Sequence, residues 1–217
     1  MKIKDEYAIP RQRMIDRLRN HYHIQNERVL EVMNEVPRHF FVPSALRSQS
    51  YADNALPIAG NQTISQPFIV ARMTELLQLT SHSRVLEIGA GSGYQTFILS
   101  KLARYVYAIE RVEKLAIETH DKLKQLNVQN VTLMHGDGTL GWDKYAPFDA
   151  ILAAAGSPQI PEPWLNQLKT GGRLILPIGD NQKSQRLVCV TRTERGFQSE
   201  DFGACSFVPL IGEHGWK

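Results

Sequence analysis

The stretch Arg84-Val85-Leu86-Glu87-Ile88-Gly89-Ala90-Gly91-Ser92-Gly93-Tyr94 constrains this chain more than any other. A short apolar run of β type carries a carboxylate, enters a glycine-rich turn, and leaves through a helix that holds Phe97, Ile98 and Leu102. That order is a strand, a tight loop and a helix opening on a nucleotide-like ligand. A residue without a Cβ takes positive φ and lets the backbone approach a ligand closely, which gives the glycines a mechanical purpose.

The spacing narrows the ligand. A dinucleotide fingerprint runs G-x-G-x-x-G, whereas here the third glycine comes one residue early and Tyr94 stands where that fingerprint wants glycine. The pattern disfavours a pyrophosphate. A second strand, Tyr105-Val106-Tyr107-Ala108-Ile109, ends in Glu110, about 20 residues beyond the glycines, where an acid can accept both hydroxyls of a ribose. Loop plus acid reads as adenosine binding. The competing explanations are a plain strand-to-helix turn, and for Glu110 a solvated carboxylate favoured by the dipole of the next helix.

From Arg84 onward, strand and helix alternate. Val85–Ile88 is followed by a helix over Gln95–Leu102, then Tyr105–Ile109, then a helix with Leu115, Thr119, Leu123 and Leu126 on one side. Val131–Met134 ends at His135-Gly136-Asp137-Gly138, and Phe148–Leu152 is a fourth strand. Pro161 and Pro163 open a short helix that runs through Leu168 and stops at Gly171-Gly172, before a fifth strand over Arg173–Ile178. Such alternation predicts an α/β fold with a doubly wound, mostly parallel, Rossmann-like sheet. Arg186–Arg192, a Glu194-Arg195-Gly196 turn and Phe197–Phe202 predict an antiparallel pair at the sheet edge.

Upstream, residues 10–36 read as two helices, with Met14, Ile15 and Leu18 on one stripe and Val29, Met33 and Val36 on another, forming a helical cover. Tyr51 to Gln62 reads as a long loop, a candidate for binding. Pro67 suits the first position of a helix carrying Val70, Met73 and Leu77, so Ser65 or Gln66 falls at its cap; capping is the plain alternative to any chemical role for Ser65. With 217 residues, the chain is expected to form a single domain over 1–217. Within it, 1–80 supplies the helical and active-site segment, 81–180 the cofactor-binding core, and 181–217 the C-terminal strands and tail.

Composition excludes several classes. A net charge of +3, with Lys and Arg scattered, is too mild to argue for a polyanionic partner such as nucleic acid. Cys189 and Cys205 form no CxxC pair and lie near no histidine cluster, so neither a metal site nor a disulfide framework is indicated. The seven histidines read as surface or packing residues. The start, Met1-Lys2-Ile3-Lys4-Asp5-Glu6, lacks the apolar core of a signal peptide, and no run approaches the roughly 20 apolar residues of a membrane span. A cytoplasmic setting, no membrane partner and a monomeric state are the expectations.

Ligands in an open parallel sheet gather beyond the carboxyl ends of the strands, so Gly89–Gly93, Glu110, Asp137 and the loop after Leu152 are expected to line one crevice. Asp137-Gly138 is placed to contact the adenine surroundings, with a simple Asp-Gly turn as the alternative. The loop Ala153-Ala154-Ala155-Gly156-Ser157-Pro158 has no Asn/Asp-Pro-Pro-aromatic run and no cysteine nucleophile, which disfavours methyl transfer to nucleobases. A nicotinamide-dependent oxidoreductase, a non-catalytic adenosyl-binding module and a methyltransferase acting on another small carboxylate remain as rivals.

Leu56-Pro57-Ile58, Thr63-Ile64-Ser65-Gln66-Pro67, Val85–Tyr94, His135–Gly138, Pro147–Ile151, Leu168–Leu174 and Phe207-Val208-Pro209-Leu210 together resemble the protein-L-isoaspartate O-methyltransferase family. The resemblance runs from about Val29 to the C-terminus. It implies methyl transfer from S-adenosyl-L-methionine, leaving S-adenosyl-L-homocysteine, to the α-carboxylate of isoaspartyl residues in damaged proteins and peptides, with repair through a succinimide. It further implies that Ser65 is the active-site residue, and that Ile64, Gln66, Gly89, Gly91, Ser92, Glu110, Asp137 and Gly138 contact the cofactor. Leu56, Pro57 and Ile58 with Val208, Pro209 and Leu210 would border the peptide. The stretch before Pro10 departs from the resemblance, as does Ala90, which stands where Thr or Ser is common.

Overall fold

The structure, a computed structural model, describes residues 5–182 and 184–217. Met1 to Lys4, part of the start used above to judge targeting, lie outside the described residues. Helices α1 (Ala8–Asn20) and α2 (Glu27–Glu35) open the chain, and Asn26 caps α2 by accepting from the Val29 N–H. Short 3₁₀ turns at Arg38–Phe41 and Ser44–Gln49 follow.

The region from Tyr51 to Gln62, expected to be loop throughout, contains structure of its own. Strand β1 (Leu56–Pro57) pairs antiparallel with β2 (Thr63–Ile64), Leu56 facing Ile64, around a 3₁₀ turn at Ala59–Asn61. Two residues per strand give no periodicity to read, which is why the sequence did not betray the hairpin. It delivers the chain to α3 (Pro67–Leu76), with Pro67 in its first turn as expected.

The sheet is built from β3 (Arg84–Ile88), β4 (Tyr105–Glu110), β5 (Val131–His135), β6 (Phe148–Ala153), β7 (Leu168–Asn181), β8 (Ser184–Thr193) and β9 (Gly196–Cys205). Its spatial order is β5-β4-β3-β6-β7-β8-β9, parallel through β7 and antiparallel across β7-β8-β9. Crossovers are made by α4 (Tyr94–Leu102), α5 (Glu113–Gln125) and α6 (Glu162–Gln167). One boundary differs from expectation: α6 ends at Gln167, and Leu168 already pairs with Phe148 as the start of β7. Gly171, at φ 81°, lies within that strand rather than stopping a helix.

Burial explains the layers. Alternation along β3 sends Leu86 and Ile88 into a core with Phe148, Ile151, Trp164 and Leu174. Val85 faces the other way, toward Met73, Leu77 and Leu99. A third cluster joins the α1 and α2 stripes, Met14, Ile15, Leu18, Leu30 and Met33, to Phe41, Tyr94 and Phe97, so the helical cover packs onto α4. The order of strands reverses between β3 and β6. Side by side, their carboxyl ends open the crevice a doubly wound sheet uses for ligands.

Candidate active site

A cavity of about 450 Å³ sits at that switch point, within the roughly 300–1,000 Å³ usual for small-molecule sites. Its floor is the glycine turn. Gly89, Gly91 and Gly93 have φ of 85°, 54° and 87°, a left-handed run that only glycine takes without strain. The turn is tied at several points: the Gly89 N–H donates to the Ile109 carbonyl at 2.8 Å, and the Thr119 hydroxyl donates to the Gly91 carbonyl at 2.8 Å. Strand β4 brings Glu110 beside it. One Glu110 oxygen accepts from the Gly91 N–H at 2.8 Å, the other from the Val112 N–H at 2.7 Å. Each oxygen keeps a further lone pair, the capacity a diol needs.

Of the positions expected to hold cofactor, Ile64, Gly89, Gly91, Ser92, Glu110 and Gly138 line this cavity, together with Ser65 and with Val208, Pro209 and Leu210. Gln66 and Asp137 stand just outside it. The Gln66 amide donates to Asp53 at 2.9 Å. Asp137 caps the turn at Gly138–Leu140, one oxygen accepting from the Thr139 N–H and hydroxyl and the other from the Glu213 N–H at 2.8 Å. Burial pushes the Asp137 carboxyl up, but those hydrogen bonds outweigh it and hold the group below the usual carboxylate range. Gly138 is there for lack of room: a Cβ on it would fall 2.5 Å from Ile88 Cγ2, and the buried Trp164 indole donates to its carbonyl at 2.9 Å. Leu56 is buried in the hairpin and Pro57 is exposed. Ile58 faces a second cavity of about 420 Å³, lined also by Phe40, Phe41, Ala59 and Lys122, that meets the first at Ser92.

Several residues that shape the site carry no sequence signal. Ser65 does not cap α3; Gln66 occupies the cap position but its side chain makes no capping bond to the helix, and Asp53 serves the helix start from a distance. One Asp53 oxygen accepts from the Phe68 N–H at 3.2 Å, the other from Gln66 and from the Tyr22 hydroxyl. Arg38 is fully buried and donates to the carbonyls of Ser50 at 2.8 Å and Ser65 at 2.7 Å. Gln185, on β8, brackets Phe207 by donating to its carbonyl and accepting from its N–H, which sets the start of Val208–Leu210. The tail is then pinned to the loop after β6 through Leu210 and the Trp216 indole, both donating to the Gly156 carbonyl. Single charged or amide residues between apolar neighbours look alike in sequence whether they are buried or solvated.

One buried acid stands apart. Glu87, on the face of β3 opposite Leu86, is 0% exposed, and neither of its oxygens has a hydrogen-bond partner among the described residues. Burial pushes its pKa up to about 8, only partly offset by the nearby Thr96 hydroxyl and reinforced by the charge of Glu110, so the group is mostly protonated at neutral pH.

The donor set fits an adenosyl ligand. It combines a left-handed glycine cradle, an acid at the end of β4, the apolar flanks Ile88, Ile109 and Val112, and a small-residue wall at Ala154 and Ala155. A doubly wound sheet with this cradle at its switch point, and this acid one strand on, defines an S-adenosylmethionine-dependent methyltransferase of Rossmann-like fold. Residues 10–215 match the family described as protein-L-isoaspartate(D-aspartate) O-methyltransferase (PCMT), and the chain belongs to that family.

Among its relatives, a protein-L-isoaspartate O-methyltransferase of Syntrophus aciditrophicus is 50% identical over 98% of this chain and 99% of its own length. One from Trichlorobacter lovleyi is 48% identical over 97% of each. Among solved structures, a protein-L-isoaspartate O-methyltransferase superposes with a TM-score of 0.85 at 28% identity, covering 94% of this chain and 67% of that one. A Plasmodium falciparum protein described as a protein-L-isoaspartate O-methyltransferase, in complex with S-adenosyl-L-homocysteine, superposes with a TM-score of 0.79 at 25% identity, covering 93% and 98%.

Proposed function

We propose that this chain transfers a methyl group from S-adenosyl-L-methionine to the free α-carboxylate of L-isoaspartyl residues in damaged proteins and peptides, and that Ser65 holds that carboxylate. Family membership supports the reaction. The observation that carries the assignment of Ser65 is its place and its freedom. It shares the cavity wall with Gly89–Ser92, its carbonyl is taken by Arg38, and its hydroxyl bonds no other described residue.

When bound, the cofactor supplies a methyl group already activated on a sulfonium. An α-carboxyl with a pKa of about 3.5 is ionised at neutral pH, so the nucleophile needs no general base and a His/Asp dyad has no task here. What this chain contributes is orientation and exclusion of water, an effect able to supply several kcal/mol. In this reading Glu110 accepts the ribose hydroxyls, the Gly89–Ser92 turn receives the amino-acid portion, and the turn at Asp137-Gly138 flanks the adenine. Ile64 and Gln66 place the segment that carries Ser65. The hairpin Leu56-Pro57-Ile58 and the tail Val208-Pro209-Leu210 border the peptide on either side of the opening. The released ester closes spontaneously on the next backbone nitrogen, expelling methanol and leaving a succinimide whose hydrolysis returns part of the material to normal aspartate.

The same reading has the protein acting as a monomer in the cytoplasm on protein substrates, without a nucleic-acid or membrane partner. Its two cysteines are unpaired, and among the described residues no helix is long and apolar enough to cross a membrane. The deciding experiment offers two peptides identical except for an aspartyl or isoaspartyl linkage, with methyl-labelled cofactor. Base-labile label released as methanol from the isoaspartyl peptide alone is the expected result; equal labelling of both defeats the substrate assignment.

A further inference from the structure

We infer that Arg38 positions Ser65 and supplies a fixed positive charge that makes the crevice selective for an anionic group, an inference that rests on the assignment of the substrate carboxylate to Ser65. Arg38 begins the 3₁₀ turn Arg38–Phe41 and is 0% exposed. Its Nε donates to the Ser50 carbonyl at 2.8 Å and one terminal nitrogen donates to the Ser65 carbonyl at 2.7 Å, while the other terminal nitrogen meets no well-formed acceptor among the described residues, only the neighbouring Tyr94 side chain, which supports its charge. Its guanidinium carbon lies 4.8 Å from the centre of the Tyr94 ring, and Tyr94 is itself part of the cavity wall.

No described carboxylate makes an ion pair with it. The charge of Asp53 reaches Arg38, but the Asp53 oxygens are engaged by Tyr22, Gln66 and Phe68. Burial draws the Arg38 pKa down, yet a guanidinium starts so high that it stays charged at neutral pH. A buried charge with no counter-ion is costly to the fold, and bonds to two carbonyls do not in themselves require a charge. The arrangement makes sense when the missing counter-ion is a ligand: a carboxylate held at Ser65 would sit one residue layer from the guanidinium, across a low-dielectric wall.

This charge acts on binding more than on bond making. Methylation turns the carboxylate into a neutral ester, so a fixed cation favours the substrate over the product and over the charge-neutralising transition state. Loss of the charge therefore raises KM for the peptide, and any fall in kcat comes from the displaced Ser65 rather than from the missing charge. The test compares R38Q, R38K and the wild type with an isoaspartyl peptide and with the same peptide bearing an α-carboxamide, and measures S-adenosyl-L-homocysteine binding by calorimetry as the check on folding. In R38Q we expect KM to rise about tenfold, kcat to fall less than KM rises, and cofactor-product affinity to stay within about twofold. The wild type should bind the carboxylate peptide about tenfold tighter than the carboxamide, R38Q should lose that preference, and R38K should keep most of it.

A peptide KM in folded R38Q within about twofold of the wild type, or an unchanged carboxylate preference, overturns the inference. Should R38Q fail to fold, the wild type still decides: equal affinity for carboxylate and carboxamide peptides removes the role of charge. S65A separates this from the underlying reading. A slow S65A with a normal R38Q discards Arg38 alone, whereas a normal S65A discards the assignment of Ser65.

Discussion

The two sides of the crevice are held by different means. On the sheet side, the Gly89–Gly93 turn hangs from the ends of β3 and β4, whose ladders repeat the same backbone bonds residue after residue over an apolar core. On the cover side, the segment Ser65-Gln66 rests on individual polar anchors, Arg38 at its carbonyl and Asp53 at the start of α3. A ladder loses little when one bond is removed. An anchor that is the sole partner of several groups loses all of them together. The cofactor wall should therefore be robust and the substrate wall sensitive, with Glu87 a polar weakness inside the robust half.

Glu87 gives the largest effect. Its folded pKa of about 8 stands above the ordinary glutamate value of 4.5, so the native state binds the extra proton. Stability is fully present below about pH 4.5 and is lost as pH rises toward 8, about 3 kcal/mol of it by pH 7. Urea unfolding of wild type and E87Q across pH 4.5–7 should show the wild type falling relative to E87Q by that amount; parallel curves would mean Glu87 is ionised in the fold.

S65A tests the working face of the cover side. Turnover should drop about 100-fold, some 2.7 kcal/mol, with cofactor affinity almost unchanged. An unchanged rate would remove Ser65 from the mechanism. D53A tests the anchor behind it: loss of its bonds to Tyr22, Gln66 and Phe68 should cost about 2 kcal/mol in chemical denaturation and raise the peptide KM while sparing the cofactor. A loss of cofactor affinity as large as the loss for peptide would erase the distinction between the two walls.

The smallest effect belongs to the turn. In G93A a Cβ would meet Thr119 Cγ2 at 2.9 Å, at a φ of 87°. That combination should cost about 1–2 kcal/mol, read as a lowered denaturation midpoint with weaker cofactor-product binding. A peptide KM that rises while cofactor-product affinity holds would show that the turn serves the substrate instead.

Legibility in the sequence follows the same division. Strands β3, β4, β5 and β6 and helices α4 and α5 were readable because each repeats a period long enough to detect, and the glycine spacing reported the turn between two of them. The role proposed for Ser65 rests on resemblance, while the alternative of a cap fails because Gln66 holds that position and Asp53, twelve positions upstream in a stretch read as loop, serves the helix start. The hairpin at Leu56–Ile64 was too short to show alternation, and the start of β7 at Leu168 was masked by the helix-like run before it. Arg38 and Gln185 were invisible: nothing local marks a polar residue for burial when its partners lie 27 and 22 residues away.

The chain's own order of residues determined a parallel sheet with a ligand turn at its centre, because hydrophobic period and glycine placement are local properties written within one strand, loop or helix. Which polar groups would be shut away from water, and hence which atoms would steady Ser65 and which acid would keep its proton, was decided only by packing. Burial is a property of what comes to lie on top of a residue, and that is set by segments distant in sequence.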